Sequence, residues 1–147
     1  MKSRTYIFIN IIIPLIIGVV IYAFYRNENL LVFTWVEYVI GLKPSLNFSL
    51  DLTQSLMNLH IPNWIIFSLP DGIWIYVLTS TIFVVWAQKI HLFWLSVPIF
   101  LGIGLEIFQL YNLVPGTFDS IDLMFLLSGY AIALFLGIKW RAKCIGT

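Results

Sequence analysis

The chain has 147 residues, of which 61% are hydrophobic and 10% are charged, and its mean hydropathy is +0.96. Soluble domains carry about 25% charged residues and disordered chains are polar, so this composition excludes both classes and indicates an integral membrane protein. The net charge of +1 excludes a broad basic surface for nucleic acid, and the single cysteine excludes an internal disulfide and a structural zinc site.

The first predicted helix covers residues 6–25, an uncharged apolar stretch long enough to cross a bilayer. Lys2 and Arg4 before it resemble the start of a signal peptide, but bulky residues stand where a cleavage site needs small ones. We therefore expect an uncleaved first span, in which Pro14 introduces a kink.

Residues 26–63 form the only long connection, which we expect to be an outer loop. Within it, residues 30–41 combine apolar side chains with Trp35 and Tyr38, a pattern typical of a short helix at the membrane surface. Gly41 and Pro44 would end this helix. The sequence therefore predicts an additional interfacial helix in the first outer loop.

Three further spans are predicted at residues 64–87, 92–110 and 120–138, which gives an all-α polytopic membrane protein with four transmembrane helices in a single domain, residues 1–147. Six of the eight basic residues lie next to the ends of predicted spans: Lys2, Arg4, Lys89, Lys139, Arg141 and Lys143. Because an even number of spans separates these ends, all of them lie on the same side of the membrane. Because basic residues favour the cytoplasmic side, we expect both termini in the cytoplasm.

This topology gathers four of the seven acidic residues at the outer ends of the spans: Asp71, Glu106, Asp119 and Asp122. Helix capping is an alternative role for Asp71 and Asp119, which start predicted helices. Glu106 lies at the C-terminal end of its helix, where the dipole disfavours a negative charge. It therefore needs a proton, a hydrogen bond from Gln109 or Thr117, or a bound cation.

Helical spacing indicates which way these acids face. Gln109 shares a face with Glu106 and with Gly102, and Gly102 would let another helix approach closely. Asp122 shares a face with Gly129 and Ala133, small residues typical of a packing seam between membrane helices. On the second span, the face that holds Gly72, Tyr76 and Thr79 would give Asp71 a polar floor.

We therefore expect Glu106, Gln109 and Asp122 to form one ligand-binding site, with Asp71, Thr117 and Asp119 nearby. The sequence alone assigns no catalytic residue, no cofactor and no resident metal ion.

Two segments of the chain resemble the VanZ-like family of small bacterial multi-pass membrane proteins. The matching positions are Asn63, Phe67, Pro70 and Gly72 in the first segment, and Glu106, Gln109, Asp119, Asp122 and Gly129 in the second. Gly116 and Leu126 stand where the family often has Arg and Asn. The resemblance covers roughly residues 60–138 and implies a protein of the bacterial cytoplasmic (inner) membrane, in a family whose founding members are linked to glycopeptide-antibiotic resistance.

The leading functional hypothesis is a non-transporting envelope protein with an outward-facing acidic pocket for a lipid headgroup, an antibiotic or a cation. Glu106 and Asp122 would accept hydrogen bonds from the ligand, and Gln109 and Thr117 would orient it. One alternative is an enzyme that acts on a lipid-linked substrate, with the carboxylates as acid and base or as Mg²⁺ ligands. Another is an ion or proton pathway, which would require a homo-oligomer. The bilayer is the one partner that all three hypotheses share.

Overall fold

The computed structural model describes residues 3–25, 62–87, 89–114 and 118–145. Within these ranges the chain is helical, and four helices are long and apolar enough to cross a membrane: Ser3–Tyr22, Asn63–Val85, Leu92–Leu110 and Ser120–Cys144. The four predicted spans are confirmed as helices, and together they indicate a multi-pass membrane protein. The predicted interfacial helix at 30–41 lies outside the described residues.

The first span changes helix type along its length. It consists of α1 (Ser3–Ile7), a π-helical segment (Phe8–Ile12) and α2 (Ile13–Tyr25), which follow one another directly. Pro14 comes just after the π-helical segment, and its ring would clash with the carbonyl group of Asn10 in a regular α-helix. The wider π turn removes this clash. The distortion expected at Pro14 is therefore located in the π-helical turn that precedes it.

The second span is interrupted near its start and the other two are continuous. Its parts are α3 (Asn63–Ile66) and α4 (Ser68–Val85), and Phe67 between them keeps a helical backbone conformation. The third and fourth spans are α5 (Leu92–Leu110) and α6 (Ser120–Ile145).

Pro70 explains the interruption of the second span. Proline has no N–H and its ring opposes the carbonyl group four residues earlier, which here belongs to Ile66, the last residue of α3. The α4 helix therefore begins anew just after Phe67.

The helices α4 and α6 run parallel and cross with their backbones in contact. The Cα atom of Gly129 lies against the carbonyl group of Gly72, with no room for a side chain. A methyl group on Gly72 would in turn lie 2.8 Å from the Phe125 carbonyl oxygen. Ala133 is fully buried in the same seam. The prediction that Gly129 and Ala133 face another helix is confirmed, as expected for small residues at a membrane helix crossing.

An aromatic cluster closes the other end of the bundle. The rings of Tyr6 and Trp140 stack with their centroids 4.6 Å apart, and Phe83 packs against both. Nearby, Arg141 Nε donates a hydrogen bond to the Ala87 carbonyl at 3.0 Å. The start of the first span thus meets the ends of α4 and α6, so the first span runs antiparallel to both.

The charged residues of the described ranges separate by end of the bundle. The basic ones lie at the end that holds the aromatic cluster, in the first turn of α1, between α4 and α5, or in the last turns of α6: Arg4, Lys89, Lys139, Arg141 and Lys143. The acidic ones belong to the opposite end: Asp71, Glu106, Asp119 and Asp122. This separation agrees with the alternating order of the predicted spans.

Candidate functional site

A cavity of about 440 Å³ lies between α4 and α5 at the acidic end of the bundle. This volume is within the range of about 300–1,000 Å³ that small-molecule sites occupy. It is lined by Asp71, Trp74, Ile75, Leu78, Pro98, Leu101, Gly102, Leu105, Glu106, Gln109 and Leu126. The cavity thus brings together three of the six predicted ligand-binding residues, namely Asp71, Glu106 and Gln109.

Gly102 sets how closely α5 approaches the rest of the bundle below the acids. A methyl group on Gly102 would collide with the Ile75 side chain and would lie 3.3 Å from Leu126. The prediction that Gly102 admits a neighbouring helix is therefore confirmed. Leu126 stands where the resembling family often has Asn, and it forms part of the apolar floor of the cavity.

Glu106 is the most buried acidic group of the site. It is only 5% exposed, and its Oε2 atom has no hydrogen-bond partner within the described ranges. The carboxyl group lies within electrostatic range of three other acids, Asp122, Asp71 and Asp119. A charge that is buried among like charges at a helix C-terminus is unfavourable without a proton or a cation beside it.

Asp122 is a neighbour of Glu106 but does not line the cavity. It occupies the first turn of α6 and is half-buried. Its Oδ1 atom is buried and, like Glu106 Oε2, has no hydrogen-bond partner among the residues that the structure describes. Two carboxyl groups that interact in a low-dielectric setting repel each other unless a proton or a cation lies between them.

Asp119 caps the start of α6, which is the alternative role that the sequence analysis gave for this residue. Its Oδ1 atom accepts a hydrogen bond of 2.8 Å from the Ile121 backbone N–H, and the side chain is otherwise exposed. The Asp119 side chain is therefore not a lining group. Thr117, the remaining predicted ligand-binding residue, lies outside the described residues.

Asp71 lines the cavity, and the lining residues next to it on α4 are apolar, whereas a polar floor was expected. The residues that follow it on the same side of α4 are Trp74 and Leu78. Tyr76 turns away, and its hydroxyl donates a hydrogen bond of 2.6 Å to Asn10 Oδ1 in the first span. Thr79 is occupied within its own helix by a hydrogen bond to the Ile75 carbonyl. The predicted polar floor is thus wrong, because α4 is rotated so that Tyr76 faces the first span.

The sequence analysis did not predict the hydrogen bond between Tyr76 and Asn10. Asn10 is 6% exposed, and its Nδ2 atom donates a hydrogen bond of 3.1 Å to the Tyr6 carbonyl. The signal was present, since Asn10 is a polar residue within an otherwise apolar span and such residues usually face the bundle interior.

The acids of the site share an electrostatic environment but do not form a single metal-ligand shell. Over the part of the chain that the structure describes, three or more His, Cys, Asp or Glu side chains are nowhere gathered closely enough to hold a metal ion. The arrangement therefore suits a ligand that fills the cavity and offers a cation or hydrogen-bond donors to its acidic end. Comparisons with family models, curated proteins and solved structures find no match for this chain, so its resemblance to the VanZ-like family stays a prediction.

Proposed function

We propose that this chain is a non-transporting membrane protein of the bacterial cell envelope, of VanZ-like type, which binds a cationic or hydrogen-bonding ligand group between α4 and α5. The observation that carries the proposal is the Glu106 carboxyl, buried at the acidic end of a cavity with an oxygen that has no partner among the described residues. An unpaired buried charge is costly, so a cation beside it stabilises the protein. Gln109 offers an amide that can orient the same ligand.

The proposed orientation places this acidic end at the outer leaflet. The basic residues of the described ranges lie at the opposite end, which the positive-inside rule assigns to the cytoplasm. Both termini are then cytoplasmic, and the ligand group approaches from the outer membrane–water interface of the cytoplasmic membrane.

The packing at the opposite end of the bundle favours a ligand-binding protein over an ion or proton pathway. There Tyr6, Phe83 and Trp140 are each at most 4% exposed and fill the space between the helices. A path along the interior of one chain would have to cross this aromatic cluster. The cavity is therefore best interpreted as a binding site with one polar end.

A titration of the purified full-length chain with ethanolamine, a soluble ammonium probe, tests the proposal. We expect Glu106→Gln to weaken binding at least about tenfold, because a charge-assisted hydrogen bond is lost. The control is Asp119→Asn, which also removes one negative charge but keeps a good capping residue outside the cavity. We expect this control to bind ethanolamine within about twofold of the unmodified chain. Equal affinity of Glu106→Gln and the unmodified chain would refute the proposal.

A second candidate function is an enzyme that acts on a lipid-linked substrate. It is favoured by the neighbouring carboxyls of Glu106 and Asp122, each with one buried oxygen, since such pairs can divide the roles of acid and base. Asp122→Asn should then remove turnover of bacterial lipid extracts and spare ethanolamine binding, because Asp122 does not line the cavity. Absence of turnover by the unmodified chain would eliminate this candidate.

A further inference from the structure

We infer that the ligand is a membrane lipid with an ammonium head group, which enters sideways between α4 and α5 and lays an acyl chain along the cavity. The inference rests on the proposed function and adds the chemical class of the ligand and its route. Three features of the cavity carry it: its length, its side opening and the chemistry of its polar end.

The cavity is elongated along the helix axes. On α4 its lining extends from Asp71 to Leu78, and on α5 from Pro98 to Gln109. At 1.5 Å per residue these stretches measure roughly 10 Å and 16 Å. The hydrocarbon thickness of one leaflet is about 15 Å, half of the bilayer core. Its polar residues occupy one end, so the apolar lining from Pro98 to Leu105 on α5 leaves roughly 10 Å for the upper part of an acyl chain that runs in the direction of the chains of one leaflet.

The long side of the cavity is open to the surroundings of the bundle. Four apolar residues that line it are between 40% and 54% exposed: Trp74, Leu78, Leu101 and Leu105. Ile75 and Leu126 behind them are buried and form a floor. In a bilayer the exposed edges of such a groove face hydrocarbon, so a lipid chain can enter without crossing water.

The polar end of the groove is built for a cation. Asp71, Glu106 and Gln109 contribute oxygen atoms, and the indole ring of Trp74 lies one turn from Asp71. Carboxylates next to a Trp ring are the usual surroundings of a bound ammonium group. The Glu106 carboxyl, which is buried and has an oxygen without a partner among the described residues, is complementary to an ammonium head group.

Lipid selectivity of the full chain in nanodiscs tests the head group. Nanodiscs would contain equal amounts of phosphatidylethanolamine and phosphatidylglycerol with identical chains, and native mass spectrometry would measure which lipid stays bound. We expect a preference of about tenfold or more for phosphatidylethanolamine, which Glu106→Gln reduces to about one. Equal retention of the two lipids by the unmodified chain would overturn the inference.

A second pair of variants tests the groove. Leu101→Trp fills the groove from an exposed lining position, and Phe100→Trp places the same ring on an exposed residue outside the lining. We expect Leu101→Trp to lower phosphatidylethanolamine retention about tenfold, equivalent to about two buried methylene groups, and Phe100→Trp to leave it unchanged. Phe100→Trp should also leave ethanolamine binding unchanged, since Phe100 does not line the cavity. Equal retention by the two variants would contradict an acyl chain in the groove.

The two levels of the hypothesis fail in different ways. Ethanolamine binding that depends on Glu106, together with equal retention of both lipids, would overturn the lipid inference and leave the proposed function intact. Ethanolamine binding that is insensitive to Glu106→Gln would overturn the proposed function and the lipid inference together.

Discussion

A single added methyl group at Gly129 probes the crossing of α4 and α6. In Gly129→Ala the new carbon would lie 3.0 Å from the Gly72 carbonyl carbon and closer still to its oxygen. Both are backbone atoms, which cannot rotate away as a side chain can, so the helices must separate. Overpacking of this kind typically costs about 1–3 kcal/mol, and we expect the free energy of unfolding to fall by that amount.

The matched control is Gly104→Ala, the same substitution within α5. A methyl group on Gly104 meets no atom within 4 Å, so only the change in helix propensity remains, a gain of at most about 1 kcal/mol. Unfolding of both variants by sodium dodecyl sulfate in mixed micelles, followed by tryptophan fluorescence, measures the difference. Equal stabilities of Gly129→Ala and Gly104→Ala would show that the close crossing of α4 and α6 does not exist in the folded protein.

Three further predictions concern the polar groups and the topology. Tyr76→Phe removes the hydrogen bond to Asn10, so the same unfolding assay should show a loss of about 0.5–1.5 kcal/mol, and an unchanged value would contradict that contact. Glu106→Gln should unfold at the same or a higher detergent concentration, because it removes a buried charge that lies among other acids; a clear loss of stability would mean that the carboxylate is needed for folding. A reporter fused to the C-terminus after Lys139, Arg141 and Lys143 should be active only in the cytoplasm, and activity outside would reverse the proposed orientation.

The sequence by itself determined the features that depend on local chain properties. Each span was visible as an apolar run of bilayer length, because a membrane forces the backbone to satisfy its hydrogen bonds within a helix. The cap formed by Asp119 was visible as an alternative role for a similar reason, since its partner Ile121 is two residues away. The seam around Gly129 was visible because small residues have few other uses at that spacing in a membrane helix.

The tertiary structure alone decided how each helix is rotated about its axis. From the sequence, Tyr76 was expected beneath Asp71, whereas it faces Asn10, and Asp71 lies above Trp74 and Leu78 instead. Likewise, Asp122 lies beside Glu106 but outside the cavity lining. The physical reason is that lipid and protein interior are equally apolar, so the pattern of apolar residues along a span does not distinguish its buried face from its lipid-facing one. Only the contacts between helices make that distinction.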